Sequence, residues 1–318
     1  MTPYPEDARP NPFLSREYEP LSVRLSQHSK IDAHTRGIGG IALHMRKQIV
    51  ATASDDCTWK IFNMDTSENI MTGEGHKDWI SGIDFHPAGS HLVTSGSDRS
   101  LKLWDFISSG IAHTFQNISN GPIWKAKFHD TGDFVLTGAA DGTIKLFDLH
   151  AVKMRQQYRS HTDSVNGLMW QPFTNFFVSG SADKTVSIWD MRTGLTVQTF
   201  YGHMNAINDA QFSIGGQYVA SVDADGIVKL WDIRQVSQML TADIGDTCIN
   251  ACTFDKTGKY LVVGCSNGEV KILNVEKNGE VVSSFKAHDK AAVSNVIVNQ
   301  ENNQLYTAGG DGVVKTWQ

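Results

Sequence analysis

The sequence predicts an all-β protein, a closed ring of seven four-stranded blades latched by a strand from the N-terminus. Three observations predict it. First, an acidic or amide residue stands six positions before an aromatic or large apolar one in Asp56/Phe62, Asp98/Trp104, Asp141/Phe147, Asp183/Trp189, Asp225/Trp231, Asn267/Leu273 and Asp311/Trp317. Successive first members lie 42, 43, 42, 42, 42 and 44 residues apart. Second, 318 residues exceed the ~250–300 at which one core stops growing, so the chain must be two domains, a barrel or an array of repeats. The fixed period selects the array. Third, each period holds short alternating or apolar runs divided by turn residues, with no convincing helical periodicity.

Within the second copy the strands read WISGIDF, HLVTSG and SLKLWDF, separated by HPAG at 86–89 and SDRS at 97–100. Other copies carry DADG, AADG, SADK and GGDG at the second turn, where positive φ is cheap for Gly and tolerable for Asp. A His, mostly after Gly or Ala, stands upstream at His34, His76, His161, His203 and His288, and Asp follows the aromatic at 105, 148, 190 and 232. A period near 42 with G-H…W-D is the WD40 signature. One blade cannot bury both apolar faces alone; stacking buries them, and circular closure leaves no exposed end. The chain stops at Trp317-Gln318, after the third strand of the last blade. Its fourth strand is therefore expected from the N-terminus, at Leu21–Gln27, paired with a blade running from 281–286 to 318. Five of the eight prolines fall in the first 20 residues, which predicts an extended arm over 1–20 and a propeller over 21–318.

Composition excludes several function classes. The charge balance, 28 − 34 = −6, lacks the basic excess of a phosphate-backbone binder, so no nucleic-acid partner is expected. No apolar run reaches the ~18 residues of a membrane helix, and the N-terminus has no secretory stretch, so no membrane is expected. Cys57, Cys248, Cys252 and Cys265 lack paired metal spacing and suit a reducing compartment. Cys248 and Cys252 read as buried thiols, and no metal or cofactor is predicted.

The recurring polar residues invite a catalytic reading, with His161, Ser179 and Asp183 as a triad. A catalyst needs one such constellation, whereas this one recurs around the ring. Its predicted task is hydrogen bonding, with His bridged to the turn Asp and the indole N–H meeting a strand hydroxyl. The expected sets are His76/Asp98/Trp104, His161/Asp183/Trp189, His203/Asp225/Trp231 and His288/Asp311/Trp317. The first copy keeps His34 and Asp56 but has Phe62. The third and sixth lack the His and are expected to form looser blades. Asp55–Asp56 reads as a turn residue beside a solvated neighbour. GIGG at 37–40 opens a strand, not a helix, and P-loop, G-x-S-x-G and H-E-x-x-H motifs are absent. No catalytic residue is assigned.

Function should then lie on surfaces, at positions where one copy departs from its siblings. Five residues after the His position stand Gly39, Ser81, Trp124, Asn166, Asn208 and Asn250; two earlier stand Gly37, Trp79, Pro122, Ser164, Ala206 and Cys248. Trp79 and Trp124 are the outliers, and indoles are frequent interface anchors. Local packing that compensates for the missing His of the third blade is the alternative for Trp124. Lys77, Asp78, Arg36, Asp163, Met204, Asn205 and Asp246 are expected on the same rim, where a protein segment would dock across blades two to four. Trp59 replaces aliphatic residues of other copies and is expected in the core.

The stretches ENIMTGEGHKDWISGIDFHPAG, HTDSVNGLMWQPF, SADKTVSIWDMRTG, YGHMNAINDAQF and DADGIVKLWDIR followed by IGDTCINACTFD go beyond generic repeats. Over roughly residues 30–318 the chain resembles the C-terminal propeller of the sperm-associated antigen 16 family. That resemblance implies a non-enzymatic scaffold of the axonemal central apparatus in cilia and flagella, with a role in motility. It implies other central-apparatus proteins as partners and a cytoskeletal location. Contact with microtubules would be indirect, because an acidic chain is repelled by an acidic surface. The family carries a long helical region before the propeller, where this sequence has about 20 Pro-rich residues. A soluble adaptor, such as a ubiquitin-ligase substrate receptor or signalling scaffold, is the other reading. Such a receptor would usually show a basic ring around the channel, which is not evident here.

Overall fold

A computed structural model describes residues 9–11, 18–44, 46–299 and 303–318. These form 28 strands in seven four-stranded antiparallel sheets, with no helix among the described residues. The first strand in the chain is β1 (Gln27–Asp32). Blade 1 holds β2 (Ile38–Leu43), β3 (Ile49–Ser54), β4 (Thr58–Asn63) and β5 (Asn69–Glu74). Blade 2 holds β6 (Ile80–Phe85), β7 (His91–Gly96), β8 (Leu101–Asp105) and β9 (Gly110–Phe115). Blade 3 holds β10 (Ile123–Phe128), β11 (Phe134–Ala139), β12 (Thr143–Asp148) and β13 (Lys153–Arg159). Blade 4 holds β14 (Val165–Trp170), β15 (Phe176–Ser181), β16 (Val186–Asp190) and β17 (Thr196–Phe200). Blade 5 holds β18 (Ile207–Phe212), β19 (Tyr218–Asp223), β20 (Ile227–Asp232) and β21 (Ser237–Asp243). Blade 6 holds β22 (Ile249–Phe254), β23 (Tyr260–Cys265), β24 (Glu269–Asn274) and β25 (Glu280–Lys286). Blade 7 holds β26 (Val293–Val298), β27 (Leu305–Gly309) and β28 (Val313–Trp317), completed by β1.

Burial explains why each sequence run takes its place. Second strands are buried almost throughout, as in β15 FFVSGS and β19 YVASVD, because they lie mid-sheet between two neighbouring blades. Outer strands are largely exposed, and β5 and β1 each bury a single residue. The apolar clusters sit between blades. One joins Ile83 and Trp104 of blade 2 to Trp59 and Ile61 of blade 1; another joins Tyr306 and Val314 of blade 7 to Ile41 and Val50 of blade 1. That last cluster closes the ring through its core as well as through its edge.

The closing strand is displaced from its expected place. It spans Gln27–Asp32, pairing Ile31 with Val314 and Asp32 with Val313, whereas Leu21–Gln27 was the expected segment. Nor does the last blade include 281–286: β25 is the outer strand of blade 6. The physical reason is that an outer strand needs almost no apolar alternation, so the better-alternating segment was the wrong guide. Leu21 is instead buried between blades 6 and 7. Of the predicted arm, residues 1–8 and 12–17 lie outside the described residues.

Trp59 lies in the core, in edge-to-face contact with Trp104 at 5.1 Å between ring centroids. Its cross-strand partner is Gly73, where a Cβ would stand 2.0 Å from the indole, so only glycine leaves the ring its space.

Candidate interaction surface

Each inner strand starts on one face of the ring, here the entry face, which also carries the turns between second and third strands. The opposite, exit face carries the turns between first and second strands. The recurring polar residues occupy the entry end of each blade. In blade 4, His161 Nδ1 lies 2.8 Å from Asp183 and Nε2 lies 2.7 Å from Ser179 Oγ, which accepts the Trp189 indole N–H at 2.8 Å. With the ring proton on Nδ1, every group is satisfied: Trp donates to Ser, Ser to His, His to Asp. Blade 2 repeats the chain through His76, Thr94, Asp98 and Trp104, and blade 7 through His288, Thr307, Asp311 and Trp317. Blade 1 keeps His34, Thr52 and Asp56, and Phe62 offers no indole.

Blade 5 differs from expectation. His203 meets Asp223 at 2.8 Å, not Asp225. Position 223 holds Ser54 in blade 1 and Ser181 in blade 4, whose hydroxyls accept the N–H of the turn Asp two residues on. Asp223 accepts that same N–H, from Asp225, and its longer carboxylate also reaches the His. Asp225 is thereby released to accept from Asn205 at 2.7 Å. Trp231 still donates to Ser221, which lies 2.7 Å from His203.

The electrostatics follow the geometry. Burial pushes the Asp98 and Asp183 carboxyls up, but hydrogen bonds from His, hydroxyl and backbone N–H outweigh it and hold both well below the usual carboxylate range. Asp56 and Asp223 are lowered in the same way. Burial lowers His34 and His288 against the opposing pull of their Asp partners. In each of the five blades both imidazole nitrogens are engaged, one by an Asp carboxylate and the other by a strand hydroxyl.

Blade 3 has Ser119 in place of the His and blade 6 has Gly245. There the third-strand lysines Lys145 and Lys271 reach back to the carbonyls of Ile118 and Ile244 in the preceding loop. Lys60 and Lys315 do the same in blades 1 and 7.

On the entry rim the two outlier indoles come together. Trp79 and Trp124 have ring centroids 6.5 Å apart at 41°, and Trp79 is 41% exposed. The Trp124 indole N–H donates to Ser164 Oγ of blade 4 at 2.8 Å. Its small polar siblings turn out to be stitches between blades. Ser81 donates to the Ile123 carbonyl, Asn166 to Ile207, Asn208 to Ile249 and Asn250 to Val293, at 2.6–2.9 Å. Trp124 thus joins two blades while presenting part of its ring beside Trp79. Sequence comparison missed the stitches, although three Asn at one repeat position were the available signal.

Lys77, Asp78, Arg36 and Asp163 are exposed; Lys77 and Asp78 precede Trp79, Asp163 precedes the Ser164 that Trp124 bonds, and Arg36 lies in the entry loop of blade 1. Asp78 accepts the Trp79 N–H at 2.9 Å and Asp163 the Ser164 N–H at 2.7 Å, so each carboxylate shapes its own loop. Asn205 is half-buried and engaged with Asp225, whereas Met204 (79% exposed) and Tyr201 (75%) stand out to solvent. Tyr201 was not singled out in the sequence, because it sits at an outer-strand end where siblings vary. Asp246 is exposed in the loop of blade 6. The inner strands enclose a central cavity of about 410 Å³, lined by residues of all seven blades, Lys125, Gln211 and Cys252 among them. Cys248 is half-buried, not buried as expected, and accepts from Asn208 at 3.2 Å. Cys252 is buried, which pushes its thiol up and away from reactivity. Among the described residues no three His, Cys, Asp or Glu side chains group as metal ligands.

Seven four-stranded blades, five with a His–Asp tie and four with a Trp–hydroxyl tie at the entry end, define a WD40-type propeller. Residues 25–63 and 67–105 match the family model described as WD domain, G-beta repeat. Residues 125–318, more than half of the chain, match the β-propeller family described as nucleolar protein 10-like, N-terminal domain, and the chain belongs to that family of propellers. It is 42% identical over 71 residues to the flagellar WD repeat-containing protein Pf20 of Chlamydomonas reinhardtii, 22% of this chain and 12% of that protein. It is 26% identical over 116 residues to a coronin-like protein of Saccharomyces cerevisiae, 35% of this chain and 17% of that protein. It is 35% identical over 105 residues to the nuclear distribution protein PAC1 of Arthroderma benhamiae, 31% of this chain and 23% of that protein. The aligned stretches therefore span less than a quarter of these relatives' own lengths. The flagellar relative supports the sperm-associated antigen 16 resemblance only at the level of a WD-repeat protein related to a flagellar one.

Proposed function

We propose that this chain is a non-enzymatic protein-interaction scaffold of the axonemal central apparatus, needed for the motility of cilia or flagella. The observation that carries the scaffold reading is the exposed Trp79 edge beside Trp124, the two indoles that depart from their sibling positions on the entry rim. The recurring polar residues are bonded to one another, which leaves such departures for recognition. The axonemal location is supported by the flagellar WD-repeat relative at 42% identity. Partners would be other central-apparatus proteins docking across blades two to four, near Asp78, Lys77 and Asp163, with microtubule association indirect.

Tagged protein expressed in a flagellated cell tests the location: retention in detergent-extracted axonemes is expected, and a diffuse cytosolic distribution overturns it. Trp79→Ala tests the surface, since that side chain makes no interblade hydrogen bond. Its capture of axonemal proteins is expected to fall at least tenfold; undiminished capture contradicts the assigned surface. The soluble-adaptor reading is favoured by the spread of relatives, which includes nuclear distribution and coronin-like proteins. Diffuse localisation with Trp79-dependent capture is the outcome it predicts.

A further inference from the structure

The exit face carries a feature that neither the repeat nor the entry rim accounts for. The residue just after each inner strand can tie its blade to the next. His129 Nε2 donates to the Thr174 carbonyl at 3.1 Å, Gln171 Nε2 to the Gly216 carbonyl at 2.7 Å, and Asn299 Nδ2 to the Gln48 amide oxygen at 3.3 Å. These ties span blades 3 to 4, 4 to 5 and 7 to 1. At the same position, Ser213 of blade 5 accepts the N–H of Tyr218 in its own blade. Asp255 of blade 6 is fully buried and accepts from Thr257 and from the Tyr260 N–H, also in its own blade. Among the described residues no such tie leaves blade 5 or blade 6, on either side of blade 6, and His44 of blade 1 likewise accepts N–H groups of its own blade, from Arg46 and Lys47.

The described residues before β1, 9–11 and 18–26, meet this face at successive blades in chain order. The Arg9 guanidinium pairs with Asp130 in the exit turn of blade 3, and the Arg9 N–H donates to the Phe173 carbonyl of blade 4 at 3.0 Å. Asn11 Nδ2 donates to the Ile214 carbonyl of blade 5 at 2.9 Å. The Tyr18 ring lies under the Lys256 ammonium of blade 6 at 5.1 Å, and the Leu21 N–H points to the Asp255 carboxylate at 3.4 Å. The Leu21 side chain, 2% exposed, fills the junction of blades 6 and 7, and the Pro20 carbonyl accepts from Asn303 of blade 7 at 2.9 Å. The contacted positions are equivalent in the repeat: Asp130, Ile214 and Lys256 each stand one residue beyond the tie position, and Phe173 two beyond. Main-chain carbonyls on both sides of the interface give contacts that demand an extended ligand, and Pro10 and Pro20 favour that conformation at low entropic cost.

We propose that the exit face is a docking surface for an extended peptide, occupied in cis by this chain's own residues 9–11 and 18–21. The surface recognises a cationic side chain at Asp130, an amide at the Ile214 carbonyl, an aromatic ring at Lys256 and a leucine at the blade 6–7 junction. Occupancy replaces the missing tie between blades 6 and 7, so the same segment covers the face and fastens it.

The test uses the full chain. Arg9→Glu/Leu21→Ser alters the arm and leaves the surface intact; the probe is a fluorescent synthetic peptide of residues 9–24 with the unaltered sequence. The altered chain is expected to bind the peptide at least tenfold more tightly than the unaltered chain, whose surface is occupied. Adding Asp130→Lys to the altered chain should weaken that binding at least tenfold. Equal binding to both chains, or binding indifferent to Asp130→Lys, overturns the proposal. If the altered chain does not melt cooperatively, hydrogen exchange in the unaltered chain decides. Arg9 and Leu21 amides should exchange at least tenfold more slowly than in the peptide alone, and equal rates overturn the proposal.

Discussion

Blades 4 and 6 have nearly the same strands and opposite chemistry at their entry ends. Inner strands VNGLMW and INACTF share one burial pattern, as do second strands FFVSGS and YLVVGC. Yet blade 4 ties its loop and turn with His161, Ser179, Asp183 and Trp189, while blade 6 has Gly245, Asn267 and Leu273. The difference teaches that the alternating apolar pattern is sufficient to build a blade. The polar chain fixes the entry loop against the turn. Blade 6 relies on two devices that other blades add to the polar chain: Lys271 on the Ile244 carbonyl at 2.6 Å, as Lys315 does in blade 7, and a glycine turn pressed against the following loop, as at Gly312.

That comparison can be broken most forcefully at the turn. Gly268 has φ 85°, and a Cβ there would stand 2.1 Å from the His288 carbonyl oxygen; Lys184 occupies the matching place in blade 4 at φ 71°. Gly268→Ala is expected to destabilise by about 2–4 kcal/mol, from the left-handed conformation and the clash together, as read by denaturant unfolding. Asp183→Ala should cost about 1–3 kcal/mol by leaving His161 Nδ1–H buried without an acceptor. Trp189→Phe removes only the indole donor and should cost about 0.5–1.5 kcal/mol, reproducing in blade 4 what Phe62 does naturally in blade 1. Asn267→Ala, on the exposed turn of blade 6, should stay within about 0.5 kcal/mol.

Acid should separate the two blades as well. Asp183 has a folded pKa below its unfolded value, so its contribution is present above the unfolded pKa and is lost as pH falls through the folded one. His34 and His288 are lowered too; for these bases stability is full above about 6.5, the unfolded value, and declines as pH falls toward the folded pKa. Amide exchange measured from pH 7 to about pH 2 should show protection at the entry turns of blades 1 and 7 falling first, below about 6.5. Protection in blade 4 should fall later, while the turn of blade 6, lacking both groups, should change least. Uniform loss across the blades would contradict the assignment.

Much of this was legible in the sequence because it repeats. A 42-residue period fixes blade number, strand order and the positions of His, Asp and Trp. What was not legible lies where chemistry departs from apolar alternation. Alternation points to Leu21–Gln27, whereas the closing strand Gln27–Asp32 buries one side chain and so leaves hardly any pattern to read. Repeat spacing points to Asp225, and only side-chain reach gives the His203 bond to Asp223 two residues earlier in the same turn. The Asn166, Asn208 and Asn250 stitches looked like a polar rim, since bonds between blades 41–43 residues apart have no local signature. The contacts of Arg9, Asn11 and Leu21 run to turns far along the chain and leave only a proline-rich composition as a trace.

The central claim is a division of labour: recurring polar residues maintain shape, and departures such as Trp79 are available for recognition. Thermal unfolding of purified Asp183→Ala and Trp79→Ala beside the unaltered chain tests it most directly. Asp183→Ala should melt several degrees lower and Trp79→Ala within about one degree of the unaltered protein. An unchanged melting temperature for Asp183→Ala, or an equal drop for Trp79→Ala, would contradict it.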